Sequence, residues 1–136
     1  PVYHRECEYA IPAGRAREAL EGMRRVFDEG DLSLRLPVEV RFVAPDDALL
    51  SPSRDRANGV AYIGASTLEN ATEVFERFEP LMRGLEGRPH WGKNFTLRHA
   101  DVEAMYPGSY SEFRAARASF DPKGVFSNTF LDELFG

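Results

Sequence analysis

Glu39 and Arg41 stand two residues apart in Pro37-Val38-Glu39-Val40-Arg41-Phe42-Val43-Ala44. Strand alternation sends both side chains to one face, with α carbons about 7 Å apart, and Val38, Val40 and Phe42 to the other. If helices cover the apolar face, this carboxylate and guanidinium point to the open side, where they can bind hydroxyls or a developing negative charge. The same pattern also suits a solvated strand face with a surface ion pair. A second constellation, Arg88-Pro89-His90-Trp91-Gly92-Lys93, concentrates an aromatic wall, a titratable ring and a cation around one glycine. It suits a site loop, and it also suits a turn with a core tryptophan and two exposed charges. Spacing alone leaves these alternatives open.

The elements that must position these residues are legible from periodicity. Glu6 to Ile11 alternates polar and apolar residues and stops at Pro12, as a short strand does. Ala16, Ala19, Leu20, Met23, Val26 and Phe27 form one helical stripe between Ala13 and Glu29, with Gly30 as the stop. Val38 to Ala44 is a second strand. Pro45 to Asn58 reads as a long connection closed by an Asn58-Gly59 turn, and Val60 to Ser66 as a third strand. Ala71, Val74, Phe75, Phe78 and Met82 predict a helix from near Asn70, kinked or interrupted around Pro80. The order implies an α+β fold: an antiparallel-rich sheet with helices on one face, of the split βαβ, ferredoxin-like kind, followed by a helical C-terminal tail. We expect residues 1–100 to form the α+β region and 101–136 the tail. In the tail, Ser109 and Glu112 suggest a capping box, and Asp121-Pro122-Lys123-Gly124 a type I turn. The terminal Phe126, Phe130, Leu131, Leu134 and Phe135 must pack either on this region's own core or on a neighbouring domain.

Composition narrows the classes. With 43% hydrophobic and 12% aromatic residues over 136 positions, the chain can bury one ordinary core, which argues against disorder. A net charge of -5 with intermixed signs makes nucleic acid a poor partner. No apolar run reaches the roughly 18 residues of a membrane span, and no leader precedes Val2. The single cysteine, Cys7, can form neither an internal disulfide nor a zinc site, so no metal is expected and Cys7 reads as a small buried group. A lone thiol fits a reducing, cytoplasmic compartment. Pro1 to Glu6 lacks an initiator methionine and a capped element and runs straight into the first strand, as a stretch of a longer chain would.

Four segments, in order and spacing, resemble the C-terminal region of the aldonolactone and alditol oxidases, the group of gulonolactone, arabinonolactone and xylitol oxidases. They are Tyr9-Ala10-Ile11-Pro12, the Glu-x-Arg of Glu39 and Arg41, Arg88-Pro89-His90-Trp91-Gly92-Lys93, and Phe120-Asp121-Pro122-Lys123-Gly124-Val125-Phe126-Ser127-Asn128. The resemblance implies a flavoenzyme of the vanillyl-alcohol oxidase type, oxidising the CH–OH group of a sugar alcohol or aldono-1,4-lactone. Its FAD would be held mainly by an N-terminal FAD-binding domain, and residues 1–100 would be the substrate-binding cap. By the same resemblance Glu39 and Arg41 bind substrate hydroxyls near the flavin and share the catalytic role with Lys93. Lys93 and Trp91 adjoin the cofactor, and His90 shapes the substrate wall. Family members commonly carry a histidine after the third strand's apolar run, where this chain has Gly64-Ala65-Ser66. With Ser66 in that position, a small hydroxyl replaces a ring able to relay a proton.

Two expectations follow. None of His4, His90 and His99 lies in a Gly-rich phosphate-binding context, so the isolated chain is expected neither to bind FAD tightly nor to turn over. The rival reading is a non-catalytic α+β ligand-binding or interaction module.

Overall fold

A computed structural model describes residues 3–32, 34 and 36–136. The part of the chain-opening reading that falls on Pro1 and Val2 lies outside the described residues. Strand β1 (Arg5–Pro12) leads through a 3-10 turn (Ala13–Arg15) into α1 (Ala16–Glu29), then β2 (Glu39–Val43) and β3 (Val60–Thr67). Helix α2 (Ala71–Gly84) and the short β4 (Arg88–Pro89) complete the first half; α3 (His99–Met105), α4 (Ser109–Phe120) and α5 (Thr129–Phe135) follow.

The sheet order is β2-β3-β1-β4, and every pairing is antiparallel. Two strand-helix-strand units interleaved this way are the split βαβ arrangement expected from the element order. Alternation divides the strands between two faces. Cys7, Tyr9 and Ile11 of β1 and Ala61, Ile63 and Ala65 of β3 join Ala19, Met23 and Phe27 of α1 and Val74, Phe75, Phe78 and Met82 of α2 in one buried cluster. Non-directional apolar burial of this kind sets the register, because a one-residue slip would turn Glu6 and Glu8 into the core.

The helices cover β1 and β3 but not the edge strand. Every residue of β2 is exposed, and Phe42 retains 69% of its surface. The conditional expectation of a helix-covered Val38, Val40 and Phe42 face is therefore not met. Two local readings also change. Helix α2 continues through Pro80 without a break. Helix α4 starts with Ser109 as its first helical residue and Gly108 as cap, so the Ser109–Glu112 capping box does not form.

The second half builds its own cluster from Leu97, Val102, Tyr106, Tyr110, Leu134 and Phe135, with Trp91, Phe95 and Leu50 against it. Leu134 and Phe135 thus close a core within the chain, whereas Phe120 and Phe126 stay 90% and 79% exposed. The own-core alternative for the terminal apolar set is met by Leu134 and Phe135. At the Asn58-Gly59 turn, Gly59 has φ +72 and a Cβ there would lie 2.3 Å from the Val43 carbonyl oxygen, so only glycine lets β3 enter beside β2.

Candidate functional site

The face of the sheet away from the helices carries the polar residues. Across the strands, Ser66 pairs with Glu6, Gly64 with Glu8 on one side and Glu39 on the other, and Tyr62 with Ala10 on one side and Arg41 on the other. Arg41 Nε and Nη2 both donate to Glu8 Oε1, at 3.2 and 2.6 Å. Glu8 is 4% exposed and the Arg41 side chain 47%, so one end of the pair is dry while the other is open to a ligand. These hydrogen bonds raise the Arg41 pKa against the opposing desolvation. The guanidinium also lies 5.1 Å over the Tyr62 ring. Burial, and then the Glu8 charge, push the Tyr62 phenol up.

The His-Trp-Gly-Lys loop is fastened to the edge of β1. His90 N–H donates to Glu8 O at 2.9 Å, Lys93 N–H to His90 O at 3.0 Å, and Asn94 N–H to Glu6 O at 2.9 Å. Asn94 Nδ2 adds a bond to Glu6 O at 2.7 Å. Further along, the buried Glu79 carboxylate of α2 accepts Thr96 N–H and Oγ–H, pinning the loop's far end. The Lys93 amine pairs with the Glu6 carboxylate. Gly92 N–H donates to His90 Nδ1 at 3.1 Å, so the neutral ring carries its proton on Nε2. Nε2 stands 3.9 Å from Glu8 Oε2, and the ring meets Tyr62 edge-on with centroids 5.9 Å apart.

Glu39, Arg41, Ser66, His90 and Lys93 are therefore brought to one face. Among the described residues the Glu39 carboxylate makes no hydrogen bond or ion pair, though its charge also acts on Arg41. Trp91 is directed elsewhere: its Nε1 donates to Leu50 O at 2.8 Å, and its ring stacks on Tyr106 with centroids 6.0 Å apart. It anchors the loop from the second cluster and lines a groove of about 530 Å³ with Leu50, Phe113 and Phe130. The long connection is fastened as well, since Asp46 Oδ2 accepts both Ser51 and Ser53 hydroxyls at 2.6 Å, which lowers the Asp46 pKa.

Sequence reasoning missed Glu6, Glu8 and Tyr62. The signal was present in β1, where two carboxylates alternate with apolar residues opposite a strand face bearing Arg41. What spacing could not supply was the partner of each carboxylate.

The D-arabinono-1,4-lactone oxidase family model matches residues 1–134. The chain is 37% identical over 130 residues to an alditol oxidase of Streptomyces sp., covering 95% of this chain and 31% of that protein. It is 34% identical over 131 residues to an L-gulono-1,4-lactone dehydrogenase of Mycobacterium tuberculosis, covering 96% and 30%. With the L-gulonolactone oxidase of Bos taurus it shares 33% identity over 133 residues, covering 94% and 30%. The chain spans about three-tenths of the length of these curated relatives. The family implies FAD, and the donor set allows a limited fit. Lys93 and Arg41 are each paired with a carboxylate, which disfavours a multiply charged diphosphate. The middle of the row at Gly64 carries no side chain; a Cβ there would lie 3.7 Å from Glu8 Cγ and 3.8 Å from Glu39 Cβ. Such a surface suits a neutral ring edge and hydroxyl groups.

Proposed function

This chain belongs to the D-arabinono-1,4-lactone oxidase family, and on that premise we propose that it is the substrate-facing C-terminal part of an FAD-dependent oxidoreductase acting on the CH–OH group of a neutral polyol or aldono-1,4-lactone. Residues 1–100 supply the substrate-binding face and 101–136 the helical tail that backs it. An N-terminal FAD-binding domain completes the site, and the chain alone does not retain the cofactor. The observation that carries this reading is the convergence of Glu39, Arg41, Ser66, His90 and Lys93 on one open sheet face, around a row that leaves Gly64 bare.

Bound flavin supplies the hydride acceptor. The chain's own residues bind and orient. Arg41 keeps both Nη1 protons and one Nη2 proton for substrate hydroxyls once Glu8 has taken two of its five donors. Glu39, unpaired among the described residues, accepts a hydroxyl proton bond, and Ser66 extends the polar row on the Glu6 side. Lys93, on a backbone held at His90, Asn94 and Trp91, stands ready to stabilise negative charge developing on the substrate oxygen.

Lys93→Met in the full-length enzyme tests this. A preorganised cation at a site of developing charge is worth on the order of a hundredfold in rate, whereas a surface lysine changes stability by about 0.5 kcal/mol or less and turnover hardly at all. We expect stopped-flow flavin reduction by xylitol or gulonolactone to slow about a hundredfold while the thermal midpoint stays near wild type. Wild-type reduction rates in the variant would remove Lys93 from the chemistry and favour a structural turn.

A further inference from the structure

Arg41 and Lys93 on the open face are each held by a carboxylate of one strand. Glu8, 4% exposed, takes two donors of Arg41. Glu6, 26% exposed, holds Lys93 and also lies 2.9 Å from His4 Nε2. Glu39 adds a third carboxylate in the Glu8 row. Among the described residues of this row, three carboxylates thus stand against the Arg41 and Lys93 cations. Asp46 acts on Tyr62 with the same sign as Glu8. Arg88, a further cation beside this face, is turned onto the Tyr106 ring at 4.5 Å and donates to Arg54 O.

An arginine and a lysine left bare beside one another would form a carboxylate-binding site. Here the same two side chains keep free N–H groups while a carboxylate of β1 balances each charge before substrate charge develops. We propose that Glu6 and Glu8 set the charge selectivity of the site: they let it hydrogen-bond neutral polyols and lactones while rejecting the corresponding sugar acids. The inference rests on the functional reading above. It has a chemical rationale, because hydrolysis opens a lactone to a hydroxy acid that is ionised at neutral pH and keeps most of the substrate's hydroxyl pattern. A site with bare cations would hold that acid more tightly than the lactone.

The test uses full-length enzyme and two probes, gluconate and xylitol, with Glu8→Gln and Glu6→Gln. Binding is read by calorimetry without turnover, and gluconate inhibition of xylitol oxidation is read alongside. Wild type should bind gluconate at least about tenfold more weakly than xylitol. Each glutamine variant should tighten gluconate on the order of tenfold, the gain fading with added salt as a charge effect does, while xylitol affinity stays level or falls. A merely structural role for either glutamate predicts that both probes weaken together, and that result, or unchanged gluconate affinity, overturns the proposal. Should Glu8→Gln not fold, Glu6→Gln, whose carboxylate is more exposed, decides by the same criterion. Wild-type enzyme that binds neither xylitol nor gulonolactone overturns the functional reading and the selectivity with it; wild type that accepts them, with variants that gain nothing for gluconate, overturns the selectivity alone.

Discussion

On the helix-covered face of the sheet, Cys7, Tyr9, Ile11, Ala61, Ile63 and Ala65 pack under α1 and α2 with almost no solvent contact. On the other face, in the same strands and one residue out of step, Glu6, Glu8, Tyr62, Gly64 and Ser66 meet Arg41, Glu39, His90 and Lys93. The first face is specified mainly by volume and apolar area, with the buried Glu79 carboxylate beside Tyr9 held by Thr96. The second is specified by pairing, since a carboxylate as buried as Glu8 persists only with a cation against it. Stability is therefore concentrated on one side of the sheet, and the proposed ligand recognition on the other.

The largest effect is expected on the covered face. Phe78, fully buried and edge-on to Tyr9 at 6.2 Å, fills the space between α2 and β1. Phe78→Ala should cost about 3–5 kcal/mol in urea denaturation through lost burial and the cavity left behind, with xylitol affinity of the folded enzyme unchanged. A large loss of affinity would break the separation between the faces.

Arg41→Lys is expected to act the other way round. It keeps the charge but loses the two-donor bond to Glu8 and the flat contact with Tyr62. We expect about 1 kcal/mol of stability to go, and xylitol KM to rise on the order of tenfold, as removal of a charge-assisted hydrogen bond does. A denaturation penalty matching that of Phe78→Ala would show that the open face is part of the folding core.

Alkaline titration gives the smallest and sharpest contrast. Burial raises the Tyr62 phenol above its ordinary 10.0, with Glu8 adding and Arg41 opposing. Burial, then Glu79, pushes Tyr9 far higher. A raised folded pKa means that each phenol's contribution is whole below about pH 10 and is lost as pH rises through the folded value. Tyr62 should thus ionise while the fold is intact and Tyr9 only as it unfolds. Phenolate absorbance followed beside circular dichroism checks this, and Tyr62→Phe should remove part of the early absorbance without moving the unfolding step.

Much of this was legible in the residues themselves. The stripe of Ala19, Met23 and Phe27 and the alternation of β1 and β3 forced an amphipathic helix onto one sheet face, since burial follows period. Glu39 and Arg41 declared a shared face for the same reason. The Glu-x-Arg and His-Trp-Gly-Lys segments also carried the family resemblance, and the family match bears it out. Other features depended on contacts far apart in sequence. The pairing of Glu8 with Arg41 spans 33 residues and that of Glu6 with Lys93 spans 87. The bareness of β2, the turning of Trp91 into the second cluster and the split of the terminal phenylalanines between core and surface were decided likewise. Local periodicity fixes which way a side chain points from its own element, but the partner it meets there is set by strand order and packing, and those exist only once the chain has folded.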